Sequence, residues 1–149
     1  MPLALNIKTP AVPLVYRSMK EENGKPMLGR VRDTLGVVPD RDISVQTDGT
    51  VQPKNGGMSV APSLLKMPYS LIPKRLKHLL PDGEGAKGSN NLRVWKRGVG
   101  DFKEASFALK LTMRLDKPTH GLVEPADIMP FAEYEMALQN TRDDWENGE

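Results

Sequence analysis

Short stretches in which apolar and polar residues alternate dominate this chain, and they predict strands more often than helices. The clearest runs from Phe107 to Leu115. There Phe107, Leu109, Leu111, Met113 and Leu115 share one face, with Ala108, Lys110, Thr112 and Arg114 on the other. Leu14 to Met19 and Leu92 to Lys96 read as two further strands, and the apolar pair Leu122-Val123 follows a Lys117-Pro118 turn. Ile43 to Val45 and Thr50-Val51 flank Asp48-Gly49, which predicts a hairpin, and Asn23-Gly24 can take the positive φ angles of a tight turn.

Helical signals are fewer. A short helix over Arg30 to Leu35 would end at Gly36, a residue suited to a left-handed cap. A basic helix within Leu71 to Leu80 would follow Pro73. The C-terminal helix opens at Pro130, which suits a first helical position, and carries Phe131, Tyr134, Leu138 and Trp145 as one stripe. Residues 1–13, with Pro2, Pro10 and Pro13, form an extended lead-in. Residues 62–91 form a long, irregular, basic loop region, and loops of that length in a compact domain are usually functional or disordered. Strands outnumbering helices give an α+β class, and 149 residues suit one domain spanning 1–149.

The absence of cysteine excludes disulfides, thiolate catalysis and cysteine-ligated metal, and fits a reducing compartment. No apolar run reaches the roughly 18–20 residues needed to cross a bilayer, and the N-terminus lacks the basic lead-in and apolar stretch of a secretory signal. A cytoplasmic protein without a membrane partner is expected, with export by a route needing no cleaved signal left open. Net charge is only +2, yet residues 62–97 hold eight Lys or Arg against two acids, while 116–149 hold nine acids against Lys117 and Arg142. That asymmetry points to an anionic partner for the middle segment or to pairing between the two.

Chemistry concentrates in three short segments: Leu14-Val15-Tyr16-Arg17-Ser18, Gly56-Gly57-Met58-Ser59-Val60 and His120-Gly121-Leu122-Val123-Glu124-Pro125. Arg17 sits in an apolar strand, so it needs partners: either a structural ion pair with an acid or an anionic ligand gripped by its planar fork. Ser59 follows two glycines that let the backbone approach a ligand closely, or it is the incidental hydroxyl of a bulge. No Gly-x-Ser-x-Gly elbow surrounds it. Glu124, held extended by Pro125, is either a surface acid at a strand end or a carboxylate able to stabilise an oxocarbenium-like sugar. His120, four residues earlier, shares its face, and His78 is the only other histidine, a spacing unlike a zinc site, so no metal is expected. Tyr16, Trp95 and Trp145 are either core or stacking surfaces for a flat ring.

With those motifs in view, the chain resembles the cytotoxic effectors of type VI secretion whose fold is like that of ADP-ribosyltransferases. The resemblance runs in order from Leu14 to Trp145 through Val15-Tyr16-Arg17-Ser18, Gly56-Gly57-Met58-Ser59-Val60 and His120 to Met129. It implies a split, curved β-sandwich with peripheral helices, gripping NAD between two small sheets. It further implies Arg17, Ser59 and Glu124 as catalytic residues, and Tyr16, Arg17, Ser18, Ser59 and His120 as cofactor-binding ones. A macromolecular acceptor inside a target cell and an immunity protein covering the cleft are likewise implied. Met58 and Val60 flank Ser59 where many such transferases carry a Ser-Thr-Ser-like run, and Leu122 stands where a second Gln or Glu is frequent. Two other readings follow from the residues alone: a toxin or regulator binding nucleic acid or protein through the basic 62–97 segment, and an interaction module in which Arg17 and Glu124 pair permanently.

Overall fold

The structure, a computed structural model, describes residues 11–81 and 85–149. Most of the expected lead-in, residues 1–10, therefore lies outside the described residues. Strand β1 (Val15–Glu22) turns at Asn23-Gly24, with φ of 55° and 80°, into β2 (Lys25–Pro26). After a long connection come β3 (Thr50–Val51) and β4 (Met58–Val60). Three 3-10 turns, at Leu64–Lys66, Tyr69–Leu71 and Lys74–Leu79, then lead to β5 (Leu92–Arg97). An antiparallel run of β6 (Ala105–Ala108), β7 (Leu111–Lys117) and β8 (His120–Pro125) follows. Strand β9 (Met129–Pro130), helix α1 (Phe131–Gln139), a 3-10 turn at Arg142–Asp144 and β10 (Glu146–Asn147) complete the chain.

The fold is α+β, built mostly from antiparallel strands in curled sheets with one main helix near the C-terminus. One four-stranded sheet has the order β10-β5-β1-β2, a second β4-β8-β7-β6, and β3 pairs with β9 in a small ribbon. The two larger sheets meet along a short seam. Tyr16 of β1 and Ala61, just past β4, exchange backbone hydrogen bonds of 2.8 and 2.9 Å. Beyond that pair β1 continues with β5 and β4 with β8, so the sheets diverge at Arg17 and Ser59.

Alternation decides what each face buries. Val15 and Met19 of β1, Met58 and Val60 of β4, Met113 of β7 and Val123 of β8 point into one core with Tyr134, Leu138 and Trp145. Full burial of such side chains stabilises by about 1.5–3 kcal/mol each. The opposite face of β1 and β5 presents Tyr16 and Val94 to a smaller cluster formed by Leu64, Met67, Ile72, Leu76, Leu80 and Ala86. The region expected as an irregular basic loop thus buries much of its apolar surface against the first sheet, while Leu65 and Leu79 stay exposed.

Several local expectations are corrected. No helix forms over Arg30–Leu35, and Gly36 does not take a left-handed cap. The carbonyls of Arg32, Thr34 and Gly36 accept from the Arg17 guanidinium, which holds this segment in an irregular course along β1. The Asp48-Gly49 turn is present, with Gly49 at φ 85°, but Thr50-Val51 pairs with β9 and not with Ile43–Val45. The basic stretch after Pro73 is a 3-10 turn, not an α-helix. Phe107–Leu115 is two strands, broken at Leu109-Lys110, where Lys110 adopts φ 69° and Leu109 is exposed. Pro130 caps α1 from outside the first helical position, and α1 ends at Gln139, short of Trp145. Trp145 still reaches the core: its Nε1 donates to Thr141 Oγ1 at 3.0 Å and its ring lies 6.3 Å from Phe107.

Candidate functional site

The divergence of the two sheets opens a groove of about 200 Å3 beside the seam. Its lining brings together Tyr16, Arg17 and Ser18 from β1, Ser59 from β4 and His120 from β8. Each of those residues was singled out from the sequence. Arg32, Asp42 and Lys66 join them, with an apolar wall that includes Ala61, Met67, Pro68 and Leu71. Glu124 is not among the lining residues.

Arg17 is 8% exposed and all its nitrogens are engaged. Nη1 donates to the Ser59 carbonyl at 2.8 Å, and Nη2 to those of Arg32 and Thr34 at 2.9 Å each and Gly36 at 3.4 Å. Nε donates to Thr34 at 3.3 Å. Burial pushes the guanidinium down to about 10, partly offset by Asp42 and Asp33, so it remains a cation at neutral pH. Arginine fits this task because its rigid planar fork spreads five N–H donors over acceptors on different segments, whereas an ammonium offers three donors from one point. The side chain therefore ties β1 to β4 and to the 30–36 connection, fixing both walls of the groove. Among the described residues it pairs with no carboxylate, and Glu124 pairs with Arg114 instead, which removes the permanent Arg17–Glu124 pair.

Ser18 supplies the clearest sign of an unmet interaction. It is 3% exposed, lines the groove, and its Oγ has no hydrogen-bond partner. A buried hydroxyl without a partner costs about 1–3 kcal/mol, so native structures rarely keep one unless it meets water or a ligand. Ser59 is exposed, with its neighbours Met58 and Val60 buried, because β4 turns one face to the core and one to the groove. His120 sits at the start of β8 with Nδ1 2.6 Å from Asp116 Oδ1.

Glu124 lies on the same face of the second sheet as Ser59. Ser59 pairs with Leu122, so Glu124 is its diagonal neighbour, at a separation of roughly 7–8 Å for such positions. The Glu124 side chain is 6% exposed, and its Oε2 accepts from Arg114 Nε at 3.0 Å and from the Lys54 amide at 2.9 Å. Among the described residues no hydrogen bond reaches Oε1. Gly57 lets β4 lie this close to β8: a Cβ there would stand 2.6 Å from the Val123 carbonyl oxygen.

Of the aromatic candidates only Tyr16 lines the groove. Trp95 is buried and donates from Nε1 to the Met19 carbonyl at 3.0 Å, and Trp145 belongs to the core. Arg32 and Lys66 were not singled out from the sequence, because each lies in a connection without regular periodicity. Two other hollows are larger, about 310 Å3 beside β10 and about 330 Å3 beside α1. Neither holds a buried, unpartnered hydroxyl, although Arg97, whose Nε is buried without a partner, lines the one beside α1. Among the described residues no cluster of three or more His, Asp or Glu could hold a metal ion, and no helix is long and apolar enough to cross a membrane. Comparison with family models, curated proteins and solved structures returns no match.

Proposed function

We propose that this chain binds NAD in the groove at the seam and acts as an ADP-ribosyltransferase-like toxin on an intracellular macromolecule. The observation that carries the reading is the unpartnered Ser18 hydroxyl in a half-enclosed groove, beside Ser59 and His120 and against an apolar wall. Such a mixture of apolar surface with a few convergent polar groups is what a small-molecule site requires. At about 200 Å3 the groove is below the roughly 300–1,000 Å3 typical of such sites, so it takes one end of a dinucleotide and leaves the rest along its rim. The divergence of two small sheets at Arg17 also supports a split sandwich of the ADP-ribosyltransferase type as the finer description of the fold.

In this reading Tyr16 and the Met67–Leu71 side of the groove cover the nicotinamide ring, and Ser18 and Ser59 hold polar groups of the ring and its ribose. The bond between ribose C1′ and the nicotinamide nitrogen breaks, and its electron pair leaves with neutral nicotinamide. Positive charge then develops on the ribose. Glu124 stands behind the groove lining, diagonal to Ser59, with Oε2 held by Arg114 and the Lys54 amide, and it stabilises that charge through its field and not by contact. An acceptor oxygen or nitrogen attacks C1′ and gives up its proton to solvent. Arg17 acts as a positioning residue, since its donors are already committed to carbonyls. Delivery by type VI secretion and neutralisation by an immunity protein belong to the same proposal.

The test is nicotinamide release from NAD by the purified protein, followed chromatographically with calorimetric titration of NAD. The expected result is binding by both the wild type and Glu124→Gln, with release lost only in the variant. Absence of heat together with absence of nicotinamide overturns the proposal.

A further inference from the structure

Arg17 is the cation that the sequence offers for an anionic ligand, yet five contacts to backbone carbonyls occupy it. A ligand phosphate at Arg17 would have to displace carbonyls that water would then have to satisfy inside the protein. Two other cations line the same groove. Arg32 and Lys66 are both exposed, and among the described residues neither side chain makes a hydrogen bond or an ion pair. They come from different segments: Arg32 from the connection after β2, Lys66 from the 3-10 turn that follows β4. The only carboxylate in the lining, Asp42, is tied to the Val38 amide by a 2.7 Å hydrogen bond to Oδ2.

We propose that Arg32 and Lys66 form the anion clamp of the groove, recognising the pyrophosphate of a nucleotide whose flat ring enters beside Ser18. Arg17 acts one step back. Its Nη2 holds the carbonyl of Arg32 at 2.9 Å, so the buried guanidinium sets where the exposed one stands. A free fork matches two phosphate oxygens in a bidentate manner, and the Lys66 ammonium adds a mobile point charge. A pyrophosphate fits better than a nucleic-acid backbone, because with Arg17 committed to carbonyls the lining offers two cations, enough for two adjacent phosphates and too few for a run of phosphodiesters. The inference rests on the nucleotide reading of this groove, and makes its own prediction about which residues grip the phosphates.

Calorimetry with ADP-ribose, inorganic pyrophosphate and nicotinamide as separate probes tests it, on the wild type, Arg32→Gln, Lys66→Gln and the double variant. Lys103→Gln, exposed and outside the groove lining, controls for lost charge, and thermal melting confirms that each variant folds. The expected result is at least about a tenfold loss of ADP-ribose and pyrophosphate affinity in each single variant, a larger loss in the double one, and unchanged nicotinamide binding. Equal affinity for ADP-ribose in the wild type and the double variant overturns the clamp, even if nicotinamide is still released from NAD. Pyrophosphate and ADP-ribose binding that depends on Arg32 and Lys66, without nicotinamide release, keeps the clamp and removes the transferase reading. A wild type that binds none of the three probes overturns both.

Discussion

Replacing Arg17 by alanine is the perturbation whose size the structure sets most directly. The change strands three well-formed acceptors, the carbonyls of Ser59, Arg32 and Thr34, each 2.8–2.9 Å from a guanidinium nitrogen. An acceptor left without its partner costs about 1–3 kcal/mol, with the fully buried Thr34 carbonyl at the upper end and the two part-buried ones, within reach of water, at the lower. Relief of the cation's desolvation returns part of that. The net loss is about 3 kcal/mol, a large fraction of the roughly 5–15 kcal/mol that holds a domain of this size together. For about 150 residues it lowers the melting temperature by roughly 6–12 °C. Arg17→Lys keeps the charge but not the planar fork, and falls between the wild type and alanine. Urea unfolding followed by the fluorescence of the buried Trp95 and Trp145 gives the free energies, and calorimetry gives the melting points. An Arg17→Ala protein that melts within about 2 °C of the wild type, at an unchanged urea midpoint, would refute the bridging role. The consequence for function is direct: loss of any activity in Arg17→Ala does not identify a catalytic residue, because the groove itself loosens.

Three further outcomes follow from single contacts. Ser18→Ala removes an unpartnered buried hydroxyl, so stability rises by about 0.5–1 kcal/mol while NAD affinity falls; a destabilised variant in urea titration would mean that the hydroxyl has a structural partner. Tyr134 donates its hydroxyl to the Val123 carbonyl at 2.7 Å, and burial raises its pKa above the ordinary 10.0. The native state therefore holds the phenol protonated. The stability this supplies is complete below pH 10 and drains away as pH rises above it, so the urea midpoints of wild type and Tyr134→Phe should converge in that range; curves that stay parallel there would count against it. Gly57→Ala places a methyl 2.6 Å from the Val123 oxygen, forcing β4 off β8, and costs about 2 kcal/mol or more in thermal unfolding, whereas a wild-type melting point would show that the pairing yields freely.

Much of the strand pattern was legible because period-two alternation coincides with burial in the first half of β7 and at the starts of β1 and β5. The misplaced parts share a cause: local signals cannot report a distant partner. Arg30–Leu35 has helical composition, but Arg17, more than ten residues earlier, takes its carbonyls. Phe107–Leu115 looks continuous because a two-residue turn preserves parity, so Phe107 and Leu111 face the core from both sides of the break. Trp145 keeps the helical spacing while lying beyond the helix, its place secured by Thr141 and Phe107. At the groove the three motifs were readable as motifs, and Tyr16, Arg17, Ser18, Ser59 and His120 do converge. The hold of Arg114 and the Lys54 amide on Glu124, and the approach of Arg32 and Lys66, depend on tertiary closure and leave no trace in periodicity.

The seam at Tyr16 and Ala61 has a practical consequence. Two amide hydrogen bonds and the Arg17 bridge to Ser59 set how far the sheets spread there. Any compound that spans the gap acts as a brace, and binding to the folded form alone adds about 2.7 kcal/mol when its concentration is a hundredfold above its dissociation constant. Heat resistance could then reveal cognate molecules from a library of metabolites before any reaction is known.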